Sequence, residues 1–166
     1  MTLTIASPEE MQALGRRLAA TLRAGDLVLL HGGLGAGKTT LAKGIGAGLG
    51  VAGNVASPTF IIARTHRNST GGPDLVHVDA YRLGSLDELD ALDLDTSLGE
   101  AVTLVEWGEG VAEVLSEDRM EIRIERPVGG LEPGETEIVD HAARHVTFTL
   151  YGDRWHGTDP ATLGRA

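Results

Sequence analysis

Gly32-Gly33-Leu34-Gly35-Ala36-Gly37-Lys38-Thr39 is the stretch of this chain whose residue types and spacing point most directly to chemistry. It fits G-x-x-x-x-G-K-[ST], a loop built to cradle phosphate groups. Its glycines let backbone N–H groups turn inward and approach phosphate oxygens, and a helix starting where the loop ends adds the positive end of its dipole. In such a loop Gly33, Leu34, Gly35, Ala36, Gly37, Lys38, Thr39 and Thr40 surround the phosphates. Lys38 bridges the β- and γ-phosphates, and the Thr39 hydroxyl is a ligand of Mg2+. The chain has 14 basic residues, and only Lys38 and Lys43 among them are lysines. A lysine at the one position where the loop requires it is therefore informative.

A metal-bound triphosphate also needs a carboxylate beside the metal and a group that orients the attacking water. Two apolar runs end in an acid: Leu75-Val76-His77-Val78-Asp79 and Val102-Thr103-Leu104-Val105-Glu106. Ligands of open α/β sheets lie beyond the carboxyl ends of the strands, so parallel strands would bring both acids to the loop. One would hold Mg2+ and the other orient water, and the residues alone leave open which does which. Trp107 follows Glu106 and is either a core residue or a ring facing nucleotide or partner. The hydroxyls in Ser57-Pro58-Thr59-Phe60 suit a loop that senses the γ-phosphate, or equally the local caps of a proline turn. The six histidines show no paired ligand spacing on a helix and read as structural or surface residues.

These residues need a frame. Ser7-Pro8-Glu9-Glu10 marks a helix start, with Ser7 as cap, Pro8 in the first turn and Glu10 completing a capping box. Leu14, Leu18, Ala19 and Leu22 follow at helical spacing. Leu27–His31 is a short apolar run suited to a strand buried on both faces. Lys38 to about Leu49 is helical in pattern but carries Gly44, Gly46 and Gly48, each costing up to about 1 kcal/mol against Ala, so that helix must rely on tertiary packing. Strands are expected over 60–66, 75–81, 102–107, 119–126 and 145–151. A short acidic helix is expected over 86–92, and another helix near 111–115. Strands alternating with helices early and antiparallel pairs late predict an α/β P-loop NTPase fold of three layers, its central sheet mainly parallel with antiparallel edge strands. Residues 1–152 form one domain on this reading, and the polar segment 153–166 is a loose tail.

Composition limits the function. With 14 basic and 24 acidic residues the formal net charge is −10, which argues against direct binding to nucleic acid or to anionic membranes. The absence of cysteine removes disulfides, thiolate catalysis and thiolate zinc sites. No stretch approaches the roughly 20 apolar residues of a membrane span. The N-terminal MTLTIASPEEMQ has neither a basic nor an apolar region of a signal peptide. The expectation is a cytoplasmic protein.

Five motifs in fixed order, G-x-L-G-A-G-K-T-T at 32–40, S-P-T-F at 57–60, H-V-D-A-Y-R-L at 77–83, D-E-L-D-A-L-D-L at 87–94 and L-V-E-W at 104–107, together resemble the TsaE family over roughly residues 5–150. TsaE proteins are the P-loop ATPases of bacterial threonylcarbamoyladenosine (t6A) tRNA modification. The resemblance implies ATP and Mg2+ as cofactors, with Thr39 and Glu106 as metal ligands, Asp79 needed for hydrolysis and Lys38 on the phosphates. It implies action through the TsaB–TsaD complex, which transfers threonylcarbamoyl to adenosine 37 of tRNA, so that tRNA is met only indirectly. It also implies weak hydrolysis alone and stimulation by the partners. Family members often carry Asp where this chain has Gly33, a departure outside the phosphate-cradling residues 35–40. Ser7 and Arg144 are further candidate nucleotide contacts on the same resemblance.

The rival reading is a small-metabolite or nucleotide kinase, which usually needs clustered lid arginines. The clusters considered for that role are Arg16-Arg17 and the Arg64/Arg67 pair, and the former precede the loop on a helix. A nucleotide-gated binding module without turnover is the third possibility. A protein of that kind would keep its function when Asp79 is replaced.

Overall fold

A computed structural model describes residues 2–53, 55, 63–81, 87, 94, 98–110, 112–127, 143–163 and 165. The described chain runs β1 (Thr2–Ile5), α1 (Pro8–Ala19), β2 (Leu27–His31), α2 (Lys38–Leu49), β3 (Ala63–His66), β4 (Asp74–Asp79), β5 (Ala101–Glu106), a 3-10 turn at Ala112–Leu115, β6 (Arg119–Glu125), β7 (Arg144–Tyr151) and a second 3-10 turn at Asp153–Trp155. One seven-stranded sheet has the order β1-β7-β6-β2-β5-β4-β3. Its four central strands, β6, β2, β5 and β4, are parallel. The edges are antiparallel: β3 on β4, and β7 between β6 and β1.

The strand burial follows from this order. Central strands covered on both faces are continuous apolar runs, and every residue of β2 and of β5 is buried. Strand β6 instead alternates buried with exposed or half-buried positions, as its alternating sequence predicts. Helices α1 and α2 cover one face, where Leu14, Leu18, Leu41 and Ile45 meet Val28, Leu30 and Leu104. On the other face Leu27, Leu29, Val76, Val78 and Val105 pack with Leu94 and Ala112.

Helix α1 starts as expected: Ser7 Oγ accepts from Glu10 N at 3.2 Å. Glu10 Oε2 accepts in return from Ala6 N at 2.8 Å, one residue ahead of the cap itself. The helix ends at Ala19, earlier than its apolar pattern suggests, and single turns carry the chain on to Leu22.

The glycines of α2 have a physical reason. A Cβ on Gly44 would strike the Gln12 carbonyl, one on Gly48 would lie 2.5 Å from Ala19 Cβ, and one on Gly15 would lie 2.5 Å from Leu41 O. The two helices thus touch backbone to backbone, and the glycines remove the side chains that would hold them apart. Gly44→Ala is expected to destabilise the protein by about 2–3 kcal/mol through overpacking, a fall in Tm of about 5–10 °C for this size. Intrinsic propensity alone predicts the opposite sign. Gly99→Ala, where a Cβ meets nothing within 4 Å, should leave Tm within about 1 °C. Thermal unfolding followed by circular dichroism distinguishes the two.

Residues 67–73 join strands β3 and β4. Asp74 accepts from Asn68 N and from Arg67 Nη1, both at 2.7 Å. The backbone bond from Asn68, then the Arg67 guanidinium, hold its carboxyl below the ordinary value of 3.8.

The first and last described segments differ from the sequence reading. Strand β1 has no counterpart in the sequence reading. The segment after Gly152, read as a loose tail, is anchored: Arg154 Nε and Nη2 donate to Asp26 at 2.7 and 2.8 Å, and Nη2 also donates to Thr21 O at 2.9 Å. Trp155 and Leu163 are buried in the same cluster as α1 and α2. Among the described residues no helix is long and apolar enough to cross a membrane.

Candidate functional site

The loop between β2 and α2 is shaped by its glycines. Gly35 (φ 73°) and Gly37 (φ 112°) are left-handed, a region costly for residues with a Cβ. Gly37 is the N-cap of α2 and no side chain caps the helix, so its first N–H groups point outward, as an anion site requires. Gly33 has open space where a Cβ would be: nothing lies within 4 Å of that position.

Lys38 is buried at the first position of α2. Its ammonium donates to Gly32 O at 2.6 Å and Gly33 O at 2.9 Å and lies 3.9 Å from the centre of the Trp107 ring. Burial lowers its pKa from the ordinary lysine value, and the charges of Glu106 and Asp79 partly oppose that shift. Both acids therefore lie within electrostatic reach of the loop lysine.

Register places them. Strands β4 and β5 pair Asp79 with Glu106, and β2 pairs Leu30 with the same Glu106. Both acids are buried at the carboxyl ends of parallel strands, one residue short of the loop in register. A cavity of about 230 Å³ is lined by residues 34–40 with Glu106 and Trp107. Thr39 and Glu106, 67 positions apart in sequence, open onto the same space. A hydroxyl and a carboxylate are hard oxygen donors of the kind Mg2+ takes beside phosphate oxygens, so the donor set fits that ion. Asp79 stands beside this cavity and outside its lining; its Oδ1 accepts from Tyr81 N at 3.0 Å.

Trp107 is neither plain core nor plain surface. Its φ of 61° is the one left-handed non-glycine value among the described residues, a conformation that surrounding contacts must hold in place. Its ring faces Lys38, and Tyr81 packs on it edge-on at 5.3 Å. Tyr81 and Leu34 stay largely exposed at the rim, at 71% and 93%.

A second cavity of about 130 Å³ lies across the loop, between Ile5, Ser7 and Met11 of the β1–α1 corner, Gly35 to Gly37, and Arg144. Ser7 reaches it as the cap of α1. Arg144 donates from Nε to Ala36 O at 3.2 Å and from Nη2 to Gly35 O at 3.3 Å, tying the loop to β7. Sequence reasoning missed the β1 wall of this cavity and the polar partner of Glu106, which is His77: Nε2 to Oε2, 3.0 Å, both side chains buried. The signal for that pair was the alignment of the two acid-ending runs: with Asp79 level with Glu106, His77 is level with Leu104 and lies two positions from Glu106 on the same face of the sheet. Ser57 and Thr59 lie outside the described residues, as does the acidic run after Asp87, itself exposed.

A buried parallel strand, a glycine loop leading into Lys-Thr at a helix start and an acid at the end of the adjacent strand define a P-loop protein of the α/β class. A family profile described as "Threonylcarbamoyl adenosine biosynthesis protein TsaE" matches residues 5–132. The chain is 58% identical over 154 residues to the "tRNA threonylcarbamoyladenosine biosynthesis protein TsaE" of Streptomyces coelicolor, covering 92% of this chain and 99% of that one. It is 39% identical to the protein of the same name from Bacillus subtilis, covering 90% and 85%. The crystal structure of Bacillus subtilis YdiB superposes with a TM-score of 0.68 at 34% identity, over 93% of this chain and 88% of that one. The chain belongs to the TsaE family.

Proposed function

We propose that this protein is a cytoplasmic ATP-binding and ATP-hydrolysing subunit of tRNA threonylcarbamoyladenosine biosynthesis, acting through the TsaB–TsaD complex. The observation that carries the reading is the convergence of Lys38, Thr39 and Glu106 on one cavity at the carboxyl ends of parallel strands, in a chain whose relatives are named for that modification. The loop amides and Lys38 bind the triphosphate, with phosphate oxygens replacing the Gly32 and Gly33 carbonyls as acceptors for the Lys38 ammonium. Thr39 and Glu106 would hold Mg2+, which when bound neutralises charge developing on the phosphates. Asp79 orients the attacking water from beside the cavity. The cavity at the β1–α1 corner takes the nucleoside end.

A net charge of −10 suits a subunit that leaves tRNA to its partners, since a phosphate backbone is held by basic residues. The test uses purified TsaB and TsaD with this protein, comparing retention with ATP and with ADP, alongside phosphate release in the absence of any acceptor. Nucleotide-dependent retention together with acceptor-free phosphate release supports the reading. Phosphate transfer to a metabolite with no such release supports a kinase instead.

A further inference from the structure

Strand β4 is a buried apolar run with one polar residue inside it, His77, which is wholly inaccessible to solvent. Its Nε2 lies 3.0 Å from Glu106 Oε2, while its Nδ1 is buried without a partner among the described residues. That combination fixes the tautomer. A carboxylate only accepts, so the proton sits on Nε2, and the bare Nδ1 lone pair is a smaller loss than an unpaired N–H. Leu or Val here would pack without any orphaned nitrogen. What they would not do is partner Glu106, which is 2% exposed and whose one side-chain hydrogen bond among the described residues is this one. The Lys38 ammonium acts on Glu106 through its charge, but its hydrogen bonds go to loop carbonyls.

We propose that His77 is a positioning residue for Glu106: its Nε2–H holds one carboxylate oxygen and so presents the other to the divalent cation of the bound nucleotide. Partners behind metal ligands set ligand orientation, and their loss typically weakens metal affinity about 10- to 100-fold. The inference rests on the nucleotide reading above. It assigns His77 a role that its place in the hydrophobic interior would not by itself suggest.

The experiment is calorimetric titration of the full-length protein with a non-hydrolysable ATP analogue over a series of Mg2+ concentrations and in EDTA. His77→Leu should raise the Mg2+ concentration needed for half of the affinity gain by about 10-fold or more, with the affinity in EDTA unchanged within about two-fold. His77→Gln, whose amide nitrogen reaches as far as Nε2, should restore the midpoint to within about three-fold. If the leucine variant does not fold, His77→Asn, whose amide falls short of Glu106, takes its place with the same expectations. A folded variant lacking the donor but with the wild-type Mg2+ midpoint overturns the inference, and so does an equal shift in the glutamine variant. Wild-type protein whose analogue binding ignores Mg2+ would instead remove the nucleotide reading itself.

Discussion

Lys38→Ala is expected to weaken binding of Mg2+-ATP by about 100-fold and to reduce phosphate release to background, while leaving the fold intact. The magnitude follows from the charge-assisted bonds lost. Hydrogen bonds to a charged group are worth about 1.5–3 kcal/mol, and about 3 kcal/mol is two decades of affinity. The fold should survive because the ammonium is held at a cost: it is buried, and burial lowers its pKa despite two neighbouring carboxylates. Its hydrogen bonds go to carbonyls of its own loop, and no distant element hangs on them. Lys38→Met, which keeps the length and loses the charge, should match the alanine variant in affinity. Calorimetry with Mg2+-ATP and a melting curve on the same samples test this. Near-wild-type affinity in both variants would mean that the loop is a turn joining β2 to α2 with no phosphate to hold.

How much of this site is legible in sequence depends on how local its causes are. The loop is contiguous, and its requirements of no Cβ at the left-handed positions and Lys-Thr at a helix start are written in adjacent residues. Asp79 and Glu106 are legible for another reason. Central parallel strands are apolar throughout, so an acid ending such a run stands out, and the sheet rule places it near the ligand. The missing parts depend on register or on distant packing. His77 meets Glu106 only because β4 and β5 pair in one register, and a search for histidines at helical spacing passes over it. Arg144 is a candidate only through the family resemblance, since it reaches Gly35 and Ala36 from over 100 positions away. Strand β1 is four residues long and pairs with a strand near the other end of the chain, so no local pattern announces it. The segment after Gly152 looks loose because its apolar residues are sparse, yet Trp155 and Leu163 are both buried. The glycines of α2 show propensity and packing pointing in opposite directions, with packing decisive.

On the proposed reading the two acids have separate roles, and replacing each should separate them. Glu106 lines the cavity with Thr39, so Glu106→Gln should remove the Mg2+-dependent part of ATP affinity. Asp79 sits beside it in register, outside the lining, bonded to the Tyr81 amide. Asp79→Ala should therefore bind Mg2+-ATP within about three-fold of wild type but hydrolyse it about 100-fold more slowly or worse, the range of a lost group that handles the attacking water. Asp79→Asn keeps an acceptor for the Tyr81 amide and should be as slow, which separates the carboxylate's chemistry from its structural bond. Single-turnover phosphate release with pre-bound ATP measures the step directly. In the tRNA modification assay with TsaB and TsaD, both Asp79 variants should retain the nucleotide-dependent association and fail to sustain multiple rounds. If instead they modify tRNA through many turnovers at the wild-type rate, hydrolysis at this site is not what the complex needs, and the protein acts through nucleotide binding alone.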